Sequence, residues 1–448
     1  MKKLFSSKIL AVAKQLPSPL YVVGGACRDY LITKSLSNDI DLCCDCDVTL
    51  LLPLLLEQGF TVFDVNGDFG YIKWTDGEKT YEYTRFRCEE YDNDGKHTPK
   101  SITFTDDILV DAKRRDFKCN AVYYDLKNGK FVDVLGGIKD ISNRVLSTVI
   151  QPEKVLCNDG ERLFRLARFS GELGFSIEEQ TMMIAKKYSH NALDLSSEKI
   201  FEQLNKILLA DQKPTAPENG HYLALKALDN IGVLQKILPE VTLGRGLEQR
   251  SDFHNHDVLE HTFRAVLYSP KNIRLSALLH DVGKPYCMIN YSNYYNHDKE
   301  GERIAKTILD RFKVRQDEKK KILFLTAQHM LDISGDMKER KVRRFIALNF
   351  DKIPDLLALK TADFMASKDS KEQSKVVEKW QKIIEKMKEE GVAFSLSQLK
   401  ITAKDLIELG YKEKEIGQTL KRLYLMCAEG EVKNNRESLI RIAKKRVK

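Results

Sequence analysis

The sequence predicts an α+β protein: an N-terminal head of short strands and helices, followed by a remainder that is nearly all helix. Three observations carry this reading. Between Leu20 and about Val134, short β-like runs alternate with turn signals: YVVGG, DIDLCCD, YIKWT, TYEYTRF, SITFT, AVYYDL and FVDVL. From about Ile141 the strand signal fades and apolar residues recur at helical spacing, as in LFRLARFSGELGF, EKIFEQLNKILLA and EKWQKIIEKMKEE. The 448 residues are 42% hydrophobic and 31% charged, with only 24 Gly and 11 Pro, which fits a globular chain and excludes collagen-like or wholly disordered ones. At roughly 150 residues per domain, the length allows about three domains.

The opening MKKLFSSKILAVAKQL is basic at its start like a signal peptide, but Lys8 and Lys14 interrupt its apolar part. Leu4, Ile9, Val12, Ala13 and Leu16 instead form one face of an amphipathic helix. The longest strongly apolar stretch, Val48 to Leu56, is nine residues and holds Pro53, far below the ~20 needed to cross a bilayer. The expected setting is cytoplasmic, with no membrane partner. Nine scattered Cys fit reduced thiols, and Cys43-Cys44-x-Cys46 lacks a second ligand pair nearby for tetrahedral zinc, so it reads as buried strand thiols. Net charge is +8, and Tyr411 to Lys448 carries 11 Lys/Arg against 5 Asp/Glu. That basic end suits phosphates or a solvated helix face.

Tyr21-Val22-Val23-Gly24-Gly25 reads as a buried strand ending in two glycines, with Ala26 to Leu31 continuing at helical spacing. Such a turn lets backbone N–H groups approach phosphate oxygens at a helix N-terminus. Asn38-Asp39-Ile40-Asp41-Leu42 follows. Residues i and i+2 of a strand share a face, so Asp39 and Asp41 point one way and Ile40 and Leu42 enter the core. Two adjacent carboxylates repel unless a cation lies between them, and Mg²⁺ bound to a triphosphate is the natural partner.

GGACRDYL followed by NDIDL resembles the signature of the class II nucleotidyltransferases, the tRNA CCA-adding enzymes and their bacterial poly(A) polymerase relatives. EYTRFR at 82–87 and Asp111 to Ala121 are similar, in order, to the family's flexible loop and its RRDF-x-x-NA motif. The resemblance implies a nucleotidyltransferase head with a small mixed sheet, followed by an all-α neck, an HD domain and a tail. Within the head it points to Gly24, Gly25, Arg28, Arg115, Asp116 and Asn120 as nucleotide-binding. Arg115 would fork onto phosphate, Asp116 would accept from a sugar hydroxyl, and Glu82 would be a third carboxylate supporting Asp39 and Asp41.

Asn158 to Phe169 resembles the family's EDPxRxLRAxRF stretch, with Asn158 in place of Glu and Gly160 in place of Pro. Asp159, Arg162, Arg165 and Arg168 recur every third residue and form one drifting stripe, while Leu163, Leu166 and Phe169 pack elsewhere. Asp159 would accept from an exocyclic amino group and Arg162 donate to the neighbouring acceptor, a pairing edge shared by cytosine and adenine but not by uracil or guanine. Arg165 and Arg168 would then serve phosphates. Ser197 to Leu204 is similar to a family ERIxxEL element, with Lys199 and Gln203 replacing Arg and Glu, and reads as helix-organising.

His261 in DVLEHTF, His280-Asp281 in LSALLHDVGKP and Asp363 in ALKTADF resemble the H…HD…D pattern of HD-domain phosphohydrolases. Imidazoles with carboxylates suit a second divalent, transition metal, on a helix anchored by Leu275, Leu278 and Leu279. His297 and His329 are candidates for additional ligands or phosphate contacts, as in some HD proteins, with a structural role the favoured reading; His254 and His256 read as surface residues. LKITAKDLIELGYKEKEIGQTLKRLY resembles the C-terminal element of HD-containing CCA-adding enzymes, with Ala403 for Gly and Lys412 to Lys414 for a Pro/Gly turn; with the basic end it is a candidate cradle for the tRNA elbow.

The expected organisation is a head at 1–140, a neck with the base-reading helix at 141–245, an HD domain at 246–370 and a basic helical tail at 371–448. The expected function is template-independent addition of CMP and AMP to the tRNA 3′ end from CTP and ATP. Alternatives are a poly(A) polymerase, an enzyme adding only A or only C, or an HD-type phosphohydrolase with an RNA-binding head. The resemblance implies a shortened loop in CC-only enzymes, so the full length between Arg87 and Phe104 argues against that type. Oligomeric state is left open.

Overall fold

The computed structural model describes residues 1–90, 100–157, 159–249, 256–368 and 374–445, so Asn158, His254, the middle of the Arg87–Phe104 loop and the last three residues lie outside the described part. The chain divides into two compact units, Met1–Thr242 and Leu243–Lys448. No helix among the described residues is long and apolar enough to cross a membrane.

The first unit is built on strands β1 (Tyr21–Val23), β2 (Asp39–Cys44), β3 (Thr61–Asn66), β4 (Tyr71–Thr75), β5 (Thr80–Arg85), β6 (Arg87–Glu90), β7 (Ser101–Phe104), β8 (Val122–Asp125) and β9 (Lys130–Asp133). Seven of them form one mixed sheet in the order β3-β4-β5-β2-β1-β8-β9, and β6 pairs with β7 as a separate hairpin. The parallel neighbours are β2 and β5; β1 runs antiparallel to both β2 and β8. Alternation fixes which way β2 faces: Ile40 and Leu42 are buried while Asp39 and Asp41 are exposed on the other face. The apolar side gathers Ile72, Trp74, Tyr81 and Tyr83, with Trp74 stacked on Tyr81 at 5.6 Å between ring centroids.

Two strands, β3 and β6, have no counterpart among the runs read from sequence. β3 is an edge strand, mostly exposed along its length, so no apolar alternation marks it. The N-terminal helix spans Ser7–Gln15 and buries Ile9, Val12 and Ala13. Leu4 belongs instead to a separate 3₁₀ turn, Lys2–Leu4, and is exposed.

Beyond the sheet, the helix Glu161–Leu173 packs against Gly220–Asn230. The crossing is close because Gly171 meets the backbone carbonyl of Gly220, where a side chain would collide. A two-residue parallel pair, Val145–Leu146 with Ser176–Ile177, interrupts this otherwise helical region.

The second unit is helical in its described residues. Val258–Tyr268, Arg274–Leu279, Gly283–Tyr291, His297–Arg311, Gln316–Gln328 and Ile353–Lys368 pack together. Leu275, Leu278 and Leu279 are buried in that bundle. A further core of Val342, Ile346, Trp380, Met387, Leu406, Leu423 and Leu439 joins the helices from Glu339 onward.

Candidate active site

The first unit holds a cavity of about 770 Å³ whose lining is overwhelmingly charged. One wall is the sheet and the turn after β1. Gly24 has φ +73° and ψ −140°, a conformation natural to glycine, and starts the helix Gly25–Thr33. The turn lies directly against β2: a Cβ added at Gly24 would sit 3.0 Å from Asp41 Oδ2. Asp39 and Asp41 both line the cavity. Although Asp41 is exposed toward that space, the surrounding walls desolvate its carboxyl and raise it; Arg115 and Arg165 oppose the shift, Glu82 and Asp39 add to it. Crowded carboxylates of this kind fit a divalent cation.

Glu82 is the register partner of Asp41 across the parallel β2–β5 pair, so the two share a sheet face. It does not line the cavity, and its nearest cation is Lys73, 3.5 Å away.

The second wall is the start of the Glu161–Leu173 helix with the Arg114–Asn120 segment. Asp159, Arg162, Arg165 and Arg168 all face the cavity, as their stripe predicts. Asp159 Oδ1 accepts the Glu161 N–H at 2.8 Å and its Oδ2 stands 3.6 Å from Arg162 Nε. Arg162 is steadied by the Arg114 carbonyl at 2.9 Å. Glu161 is held from the Ser197–Leu208 helix by Gln203 at 2.8 Å and Lys199 at 3.4 Å. The two residues that depart from the family pattern therefore serve the same carboxylate.

Asp116 and Arg115 are more internally engaged than the sequence suggests. Asp116 is buried and accepts from Phe117 N–H (2.7 Å), Asn120 Nδ2 (3.0 Å) and Arg165 Nε (2.8 Å). Burial would lift its carboxyl, but Arg165 and the Asn120 and Phe117 donors outweigh it and hold the pKa at about 2. Asn120 Oδ1 in turn accepts from Arg28 Nη1 at 2.7 Å. The Arg115 fork is directed to Asp111, 3.0 Å away, and Tyr123, so its expected phosphate contact would have to compete with a buried carboxylate.

Phe169 is the residue that sequence reasoning misplaced. It lines the cavity rather than packing elsewhere, and the guanidinium groups of Arg28, Arg165 and Arg168 lie over its ring. An apolar side chain at a core spacing gives no sign of that neighbourhood.

The second unit brings His261, His280, Asp281 and Asp363 together. His261 Nε2 is 3.0 Å from Asp363 Oδ1 and 3.3 Å from Asp281 Oδ2, and His280 Nε2 is 3.2 Å from Asp281 Oδ2. Burial lowers the His280 pKa, but the two carboxylates outweigh it and raise it to about 10; both carboxyls are driven well below their usual range. The centre therefore demands positive charge.

His297 and His329 complete it. Both are buried, and their Nε2 atoms lie 3.3 and 3.5 Å from Asp281 Oδ1. The Nδ1 atoms of His280, His297 and His329 each face a backbone carbonyl at 2.7 Å and must donate to it, which turns each Nε2 inward toward Asp281; those of His297 and His329 meet at 3.1 Å. The spacing of these histidines carried no such information. His256 is half-buried rather than on the surface.

With this geometry in place, residues 20–147 match the Poly A polymerase head domain family. The A-adding tRNA nucleotidyltransferase of Deinococcus radiodurans is 30% identical over 373 residues, covering 79% of this chain and 77% of that protein. The chain belongs to the tRNA nucleotidyltransferase family. Another family member, the CC-adding tRNA nucleotidyltransferase of Thermus thermophilus, is 26% identical over 441 residues, 94% of this chain and 92% of that one. Among solved structures, the Bacillus stearothermophilus CCA-adding enzyme in complex with CTP aligns over 99% of this chain and 98% of its own, with TM-score 0.67 and 20% identity. The Thermotoga maritima CCA-adding enzyme complexed with tRNA aligns with TM-score 0.62 and 16% identity. The two solved structures share the α+β head and helical remainder described above.

Proposed function

We propose that the chain adds CMP and AMP to the 3′ end of tRNA, from CTP and ATP, without a nucleic-acid template. The observation that carries this is the placement of two opposed devices on one cavity, the Gly24-Gly25 turn with Asp39 and Asp41, and the Asp159–Arg162 pair. Asp39 and Asp41 would hold Mg²⁺, with Glu82 behind them. When bound, the metal supplies positive charge to the triphosphate and makes the attacking 3′-hydroxyl more acidic. Asp159 and Arg162 select cytosine and adenine by an acceptor beside a donor, and Gly24, Gly25, Arg28, Arg165 and Arg168 surround the phosphates. Asp116 and Asn120 hold Arg165 and Arg28 for that task. The relatives' names span A-adding, CC-adding and CCA-adding enzymes, so extent of addition is what the test must read. The protein is incubated with tRNA lacking its terminal trinucleotide, Mg²⁺, and labelled CTP or ATP, separately and together. Ordered addition stopping after three nucleotides supports the reading; no addition to this tRNA but a single A on a parallel sample of CC-ended tRNA supports an A-adding enzyme, and long A tails a poly(A) polymerase.

A second reading applies to the helical unit. His261, His280, Asp281 and Asp363 form a donor set suited to a divalent transition metal, with Asp281 shared with His297 and His329. Such a site fits phosphoester hydrolysis, tested below.

A further inference from the structure

Three guanidinium carbons lie over one aromatic ring: Arg28 at 4.9 Å, Arg165 at 5.2 Å and Arg168 at 5.0 Å from the Phe169 centroid. Like charges do not gather without something to hold them and something to bind. The ring itself is fixed, because Phe117, fully buried, meets it edge-on at 6.0 Å. Each arginine has a carboxylate neighbour, but the three are not equally served. Arg28 bonds Asp29 at 2.7 Å and Arg165 bonds Asp116 at 2.5 Å. Arg168 stands 3.6 Å from Glu172, and its buried Nε has no hydrogen-bond partner. Burial pulls the Arg168 guanidinium pKa down and the Glu172 carboxyl pKa up, so this pair pays its desolvation without a close contact in return. All three arginines line the cavity that begins at the Gly24-Gly25 turn.

We propose that Phe169 is a positioning residue that holds Arg28, Arg165 and Arg168 as one receptor for the polyphosphate of the incoming nucleotide. Its electron-rich face offsets part of the repulsion among the cations and sets where their N–H donors point. The inference rests on the nucleotidyltransferase reading for the identity of the ligand, but polyphosphate binding can be measured without catalysis.

The test replaces Phe169 in the full chain by 4-fluoro-, 3,5-difluoro- and 3,4,5-trifluorophenylalanine, which keep the ring's shape while draining its face of negative charge. Binding of inorganic tripolyphosphate is followed by calorimetry, and KM and kcat for CTP are measured in parallel. Cytidine, which lacks phosphate, serves as a competitor. The expected result is a stepwise loss of tripolyphosphate affinity, about tenfold by the trifluoro ring, a matching rise in KM, and little change in kcat or in cytidine inhibition. Phe169→Trp, with a stronger cation-binding face, should restore affinity that Phe169→Leu loses. A flat fluorination series, absence of tripolyphosphate binding by the parent, or equal loss of cytidine binding overturns the proposal. If the parent binds tripolyphosphate in this ring-dependent way yet adds no nucleotide to tRNA, the proposal stands and the wider reading falls.

Discussion

Gly24 stands against Asp41 so closely that a β-carbon on the glycine would lie 3.0 Å from the carboxylate oxygen Oδ2. The glycine turn and the strand proposed to hold Mg²⁺ are therefore one unit: β1 ends in the turn and pairs with β2, which carries the acid. Gly24→Ala must either displace Asp41 or leave its backbone in a region open to glycine alone, a strain of about 1–3 kcal/mol. The expected outcome is loss of nucleotide incorporation by about a hundredfold or more with a small fall in melting temperature, read by single-turnover kinetics and thermal unfolding.

Base selection should depend on Asp159. Its removal takes away the acceptor for the exocyclic amino group, and each mismatched buried polar group is worth about 1–3 kcal/mol. Asp159→Ala is expected to lower the preference for CTP and ATP over UTP and GTP by about 10- to 100-fold. Separate kcat/KM values for the four nucleotides give this ratio directly, and an unchanged ratio would contradict the assigned role.

Asp116 predicts a dependence of stability on pH. Its pKa of about 2 lies below the ordinary carboxylate value, so its contribution is fully present above pH ~4 and fades as pH falls through the folded pKa. A depression of that size corresponds to about 2 kcal/mol near neutrality. Asp116→Asn should unfold in less denaturant than the parent at pH 7, and the gap should shrink steadily between pH 4 and pH 2. A constant gap would assign the effect to packing.

In the helical unit, His280→Ala removes one member of the proposed donor set while leaving the Asp281 and Asp363 carboxylates. Metal content measured after dialysis against Ni²⁺, Mn²⁺ or Zn²⁺ is expected to fall at least about tenfold. Any release of phosphate from 2′,3′-cyclic phosphates should vanish in His280→Ala and survive in Asp39→Ala. The opposite pattern would place that chemistry in the head.

Local pattern made much of the site legible. Alternation along Asp39 to Leu42 gives the shared carboxylate face, and the three-residue spacing of Asp159, Arg162, Arg165 and Arg168 gives the opposite wall. What escaped is what only tertiary pairing creates. Glu82, named through the family resemblance and not through local pattern, stands beside Asp41 because β5 runs parallel to β2, a neighbour relation absent from either strand alone. His297 and His329 join Asp281 because backbone carbonyls capture their Nδ1 protons and turn Nε2 inward. Phe169 looked like core by its spacing, yet packs three arginines at the cavity. The edge strand β3 escaped because both of its faces are largely open.

The most direct measurement is incorporation of labelled CMP into tRNA lacking its terminal trinucleotide, comparing the parent with Asp41→Ala at saturating Mg²⁺. Asp41 is predicted to be indispensable, with a rate loss of about a thousandfold or more and unaltered tRNA binding. A variant that still adds CMP within a few-fold of the parent would contradict the account.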